Sequence, residues 1–150
     1  MMRAFNHPRL VKLHEVYESE GSVYLVQEFI PGKTLRGALG KSGAPHHYTE
    51  KQVMEITKAL LETLAYFASE GVMHRDLKPD NILIDKNCNV RIIDYGLVTQ
   101  FRDNTEYIFD RCGTPGYIAP EVFSFNKEDP ETAYNDKCDV FSIGCIFFQM

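Results

Sequence analysis

The stretch from Val72 to Asp85, VMHRDLKPDNILID, constrains this chain more than any other. It concentrates His74, Arg75, Asp76, Lys78 and Asn81 in one short run. Asp76 and Lys78 stand two apart, so on an extended backbone they point the same way. A free Asp titrates near ~3.9, which makes Asp76 an ionised but weak base whose value lies in orienting a hydroxyl. Asn81 offers a neutral carbonyl oxygen. Ile82–Ile84 and Val90–Ile93 then read as a strand–turn–strand around Asp85–Asn89, folding Asp94-Tyr95-Gly96 back beside the first run. Asn81 and Asp94 both carry hard oxygens of the kind magnesium takes. Each residue alone reads as turn or surface polarity, but the whole set in this order does not.

HRDLKPDN, then Asp94-Tyr95-Gly96, then Ala119-Pro120-Glu121 stand in the order of three signatures of the eukaryotic protein kinases. The chain resembles that family, in its serine/threonine branch. The resemblance implies ATP and Mg2+ as cofactors and transfer of the γ-phosphoryl group to a protein partner's Ser or Thr hydroxyl. That chemistry needs an oriented hydroxyl, positive charge on the phosphates and acceptors for magnesium. In the family's terms Asp76 is the base, Lys78 reaches the transferring group, and Asn81 and Asp94 hold the metal. Gly113-Thr114-Pro115-Gly116-Tyr117 resembles the peptide-docking loop, with Thr114 bridging Asp76 and Lys78 and favouring Ser/Thr over Tyr acceptors.

The same resemblance assigns the nucleotide side. Gln27 falls at the gatekeeper position, the carbonyl of Glu28 and both backbone polar groups of Ile30 meet adenine, and Leu83 lies under the ring. Thr34 falls where some basic-directed kinases carry an acid that helps grip ribose and substrate, and Asp80 is an acid that could contact a basic substrate residue. Asp139 would hold the backbone around His74 and Arg75. Asp110, two residues before Cys112, sits where a phosphate is usual and could pair with Arg75 without modification. Glu121 pairs in the family with an Arg of a later helix. Tyr95, followed by Gly96, departs from the usual Phe, and its hydroxyl needs a partner if buried.

The implied fold class is α+β: a protein-kinase-like fold with the end of the N-lobe and the hinge over 1–30. The first, mainly helical, half of the C-lobe follows over 31–150. The glycine-rich phosphate loop, the strand lysine and the helix glutamate of the family are not in the 150 residues, so a partial domain is expected. As a piece it is expected to be poorly stable and nearly inactive in phosphotransfer. A pseudokinase-like binding module and an inactive truncated product are the alternatives, and intact Asp76, Lys78, Asn81 and Asp94 argue against the first of these.

The net charge of −5 argues against nucleic acid as a partner. The longest apolar run, near Val140–Phe148, is too short to insert across a membrane. Cys88, Cys112, Cys138 and Cys145 show no zinc spacing and read as free thiols of an intracellular, cytoplasmic protein.

Along the chain, Val11 and Leu13 alternate with Lys12 as in a half-buried strand. Met2 and Leu13 fall, by resemblance, in the family's internal apolar column. Val23–Ile30 reads as a strand broken by Pro31-Gly32. Gly32-Lys33-Thr34 and Gly40-Lys41-Ser42 imitate the end of a P-loop. Its earlier glycine would fall on Gln27 or Leu35, so both are rejected. His46-His47 reads as a solvated loop pair. Thr49 and Gln52 form a capping box for a helix carrying Val53, Ile56, Leu60, Leu64 and Phe67, closed by Gly71. Leu97–Thr114 reads as the activation segment. Its Thr105-Glu106-Tyr107 lies too far before Ala119-Pro120-Glu121 for the register of the mitogen-activated kinases. Phe123–Tyr134 reads as a loop and Asp136–Met150 as the start of a buried helix.

Overall fold

The computed structural model describes residues 5–40, 48–100, 111–126 and 128–150. Met2, His46-His47, Thr105–Tyr107 and Asp110 lie outside them. In chain order the elements are β1 (Leu13–Ser19), β2 (Ser22–Gln27), β3 (Lys33–Thr34), α1 (Leu35–Leu39), α2 (Glu50–Ser69) and β4 (Val72–Met73). They continue with β5 (Ile82–Ile84), β6 (Val90–Ile92), β7 (Thr99–Gln100), α3 (Pro120–Ser124) and α4 (Lys137–Gln149). Three small antiparallel sheets result: β1–β2, β3–β5–β6 and β4–β7.

Helix α2 is the post against which the rest is built. Thr49 accepts the Gln52 N–H at 3.3 Å, and the Gln52 side chain accepts the Thr49 N–H at 2.9 Å, closing the reciprocal cap. From there Ile56, Leu60, Leu64 and Phe67 recur at helical spacing and are buried. Each such side chain contributes about 1.5–3 kcal/mol when withdrawn from water. The stripe packs with Leu10, Val72, Leu77, Ile82, Val90, Ile92, Ile143 and Ile146 in one core. The polar run from His74 to Asn81 therefore lies against this core, between β4 on one side and the β5–β6 hairpin on the other.

The hairpin has the expected strands, with Ile82 opposite Ile92 and Ile84 opposite Val90. Its turn is closed by Asp85, whose carboxylate takes the N–H groups of Asn87 (2.8 Å) and Asn89 (3.0 Å). Strand β2 stops at Gln27, three residues before the expected end at Ile30. Its partner runs out there: the residues before β1 turn away to join β6, where Leu10 bridges Ile92 and the Val11 N–H reaches the Ile92 carbonyl at 3.0 Å. Both faces of the β1–β2 ribbon leave apolar side chains exposed: Val16, Tyr17, Val23, Tyr24, Leu25 and Val26.

Three elements had not been expected from local pattern. Helix α1 starts from Thr34, whose hydroxyl accepts the Gly37 N–H at 3.1 Å. The β4–β7 pair joins Met73 to Thr99 and needs a partner far along the chain. Part of the expected loop Phe123–Tyr134 is helical: α3 runs to Ser124 from Pro120, whose fixed φ suits a first helical turn, and a 3-10 turn spans Pro130–Thr132.

Candidate active site

Beyond β4 the chain bends sharply. Arg75 has φ 69°, a left-handed conformation that is uncommon outside glycine. Asp139, fully buried in the first turn of α4, holds it there. Its Oδ2 accepts the His74 N–H at 2.6 Å and its Oδ1 accepts the Arg75 N–H at 2.8 Å. Burial pushes the Asp139 carboxyl up, against the opposing pull of His74 and of the two backbone donors. Burial also pushes His74 down, so its ring is neutral, and Nδ1 accepts the Asp76 N–H at 3.2 Å. The proton is then on Nε2, which makes no hydrogen bond of ordinary geometry although the Asp94 backbone lies near enough to favour it. The Arg75 guanidinium donates from Nε to the Leu97 carbonyl (2.8 Å) and sits 3.4 Å from the Tyr134 hydroxyl. The loop is thereby tied to the segment that follows Gly96.

The turned loop presents Asp76. Lys78 Nζ lies 2.8 Å from Asp76 Oδ2 and 2.7 Å from Thr114 Oγ1, while the Thr114 hydroxyl donates to Asp76 Oδ1 at 2.6 Å. The Asn81 amide closes the other side, donating to the Asp76 carbonyl (3.0 Å) and Oδ2 (3.2 Å). Burial pushes the Asp76 carboxyl up, but the hydrogen bonds from Lys78 and Thr114 and the lysine charge outweigh it and hold the group below the usual Asp range. Asp76 is thus a fixed carboxylate, with both oxygens engaged and a small part of the side chain open to solvent.

Thr114 reaches this triangle because Gly113 lets the chain pass close under Arg75. At φ 112° a Cβ on residue 113 would stand 2.8 Å from the Arg75 carbonyl oxygen and 3.2 Å from Ile118. Gly113→Ala should cost roughly 1–3 kcal/mol and lower activity by withdrawing Thr114. Gly116→Ala, at φ 92° but facing open space, should cost only the backbone strain. Thermal melts of the two variants with activity assays separate the effects.

The Ile93 N–H donates to the Asn81 carbonyl at 3.1 Å, so Asp94 stands one residue from a direct tie to Asn81. Asp94 is exposed, and its Oδ1 accepts the Gly96 N–H at 2.9 Å, leaving Oδ2 available. With the Asn81 side-chain nitrogen donating to Asp76 and its backbone carbonyl taken by Ile93, the side-chain oxygen Oδ1 is the atom left over. Two hard oxygens from separate elements fit a magnesium ion that keeps several waters and takes the rest of its ligands from phosphate. Tyr95 is buried at 4% exposure, and its hydroxyl lies 3.0 Å from the Ile92 carbonyl and 3.3 Å from the Val11 carbonyl. Burial pushes that phenol well up, so it stays protonated and donates. Tyr95→Phe should cost about 1 kcal/mol in a denaturant melt and leave turnover within about twofold, because both acceptors are backbone carbonyls away from Asp76.

The family model for the protein kinase domain matches residues 1–150. The chain belongs to the protein kinase family. It is 34% identical over 150 residues to the serine/threonine-protein kinase cds1 of Schizosaccharomyces pombe, covering all of this chain and 32% of that protein. It is 35% identical over 148 residues to a CBL-interacting serine/threonine-protein kinase of Arabidopsis thaliana, covering 99% of this chain and 31% of that protein. Identity is 36% over 151 residues with a calcium/calmodulin-dependent protein kinase type 1 of Macrobrachium nipponense, covering 99% of this chain and 41% of that protein. The chain therefore spans less than half the length of these relatives. Its sheets followed by helices match the end of the N-lobe and the start of the C-lobe of the kinase fold.

Within this kinase chain the nucleotide-side residues are more scattered. Gln27 ends β2 opposite Leu13 and is half-buried. The Glu28 N–H is taken by the Lys12 carbonyl (2.8 Å), while its carboxylate accepts the Lys12 N–H (3.3 Å) and meets Arg91 (3.4 Å). Ile30 packs partly on the core, and Leu83 lies in β5 opposite Thr34. Thr34 is occupied as the cap of α1. Glu121 lies exposed in α3. A cavity of about 910 Å3 opens between Pro31, Lys33, Tyr48, Gln52, Ile84 and Cys88, away from Asp76, Lys78, Asn81 and Asp94. Sequence reasoning passed over Arg36, which no local pattern marked, and its contact with Tyr117 of the docking-loop stretch.

Proposed function

We propose that this chain carries the catalytic loop of an ATP-dependent serine/threonine protein kinase, which transfers the γ-phosphoryl group to a protein Ser or Thr hydroxyl. The observation that carries this reading is the Asp76–Lys78–Thr114 triangle, with distances of 2.8, 2.7 and 2.6 Å. Asp76 orients the acceptor hydroxyl and takes its proton as the oxygen attacks. Lys78 brings positive charge to the position where negative charge builds up on the transferring group. Thr114 keeps both at fixed distance and shapes the seat of the acceptor.

The kinase family in general uses ATP and Mg2+. The Asn81 side-chain oxygen and the Asp94 carboxylate would hold the metal, and when bound it neutralises phosphate charge. Asp139 acts behind the loop by fixing His74 and Arg75. The hinge residues Gln27, Glu28 and Ile30, with Leu83, would border the adenine. Among the described residues no helix is long and apolar enough to cross a membrane.

The test is Asp94→Ala in the protein that carries this chain, assayed with γ-labelled ATP and a protein acceptor. Transfer should fall by about 10²-fold or more, with the wild-type label on Ser and Thr. Wild-type protein that binds ATP without transferring label, or that labels only Tyr, would overturn the reading.

A further inference from the structure

The rim beside the triangle carries a charge pair that the phosphotransfer chemistry does not use. Asp80 stands between Lys78 and Asn81 on the 3-10 turn Pro79–Asn81 and is exposed. An uncompensated carboxylate there would attract a basic residue flanking the acceptor. It is not uncompensated: Arg36 Nε lies 3.3 Å from Asp80 Oδ2. Arg36 is also held in place from the other side. Its guanidinium donates to the Tyr117 hydroxyl at 2.5 Å and lies 6.0 Å from the centre of that ring. The Tyr117 hydroxyl in turn donates to Gln149 Oε1 at 2.9 Å, in the last turn of α4.

These contacts hold Arg36 between Asp80 and the loop that carries Thr114 and Tyr117. Tyr117 is buried and its N–H bonds the Thr114 carbonyl at 3.0 Å, so the residue gripping Arg36 is one turn from the residue gripping Asp76. A peptide whose hydroxyl reaches Asp76 must run over the exposed residues next to it, which include Asp80, Arg36, Pro115 and Gly116. Half the Arg36 and Asp80 side-chain surface remains open to solvent, at 45% and 49% exposure, so both can be felt by such a peptide.

We propose that Arg36 is a specificity-determining residue that cancels the Asp80 charge, so that the protein does not favour acceptor peptides with a basic residue at the position over this rim. The inference rests on the phosphotransfer reading. Exposed ion pairs are worth little each, which sets the size of the effect at a few-fold in rate, shrinking as salt is raised.

The experiment compares kcat/KM for a neutral Ser peptide with a set in which one Arg is walked through the positions flanking the Ser. It uses the protein that carries this chain and its Arg36→Gln variant, which keeps a donor for Tyr117. The variant should raise the Arg-to-neutral ratio at one or more positions by about two- to fivefold, and Asp80→Asn added to it should return the ratio to the wild-type value. If Arg36→Gln changes all peptides in parallel, Arg36 only anchors α1 and the inference is overturned. A gain that survives Asp80→Asn overturns it too. Wild-type protein that labels none of the peptides or proteins overturns the phosphotransfer reading itself.

Discussion

Asp76→Ala should lower kcat by about 10²–10⁴ and leave the KM for ATP little changed. Both carboxylate oxygens are engaged, Oδ1 by Thr114 and Oδ2 by Lys78 and Asn81, so the group is aimed before an acceptor arrives. Hydrogen bonds and the lysine charge hold it ionised below the usual Asp range, so it is a weak base in water. Most of its effect must come from aiming the hydroxyl, and aim is lost whole when the side chain is removed. Asp76→Asn sharpens the test. It keeps the size and an oxygen for Thr114, yet removes the charge, so its melting temperature should stay near that of the wild type while kcat falls almost as far as in the alanine variant. Loss of less than tenfold in both variants would exclude Asp76 from the proton transfer.

The second large effect is on stability. Asp139→Ala removes the acceptor of two backbone N–H groups, those of His74 and Arg75, at 2.6 and 2.8 Å. The His74 donor lies where water cannot replace the carboxylate, since Asp139 and His74 are each 1% exposed, while Arg75 is half-buried. A buried donor left without a partner costs about 1–3 kcal/mol, and the half-buried Arg75 donor adds less. Whole domains are stable by only about 5–15 kcal/mol. The same change frees Arg75 from its left-handed φ, and with it the bend that presents Asp76. Denaturant unfolding should therefore show a large fall in midpoint, and activity should fall with it. Asp139→Asn has one oxygen for two donors and should lie between. An alanine variant within about 1 kcal/mol of wild type would mean that the loop is held by other contacts.

These two residues differ in how they could be read beforehand. The polar run around Asp76 is contiguous, and the hairpin that follows it is a local matter of β-branched residues around an Asp-closed turn. Helix α2 is as legible: its capping box and its apolar stripe sit within one 20-residue segment. Dihedral preferences and face periodicities of this kind act over a few residues, so they survive in a bare sequence. The roles of Thr114 and Asp139 were reached only through resemblance to a known family. No periodicity links residues 38 or 65 positions apart.

The long-range pairings follow from the same limit. Strand β2 stops at Gln27 because the residues before β1 leave to pair with Ile92. The β4–β7 pair exists because the chain returns after Gly96 to lie along Met73. Thr34, chosen as a ligand-side residue from resemblance, is engaged as a helix cap, and Asp80 meets Arg36 across 44 positions. The sequence by itself determined the helix, the hairpin and the order of the committed side chains. Which of those side chains meet depended on packing α1, α2 and α4 around one core, because a contact between distant residues is a property of everything folded between them.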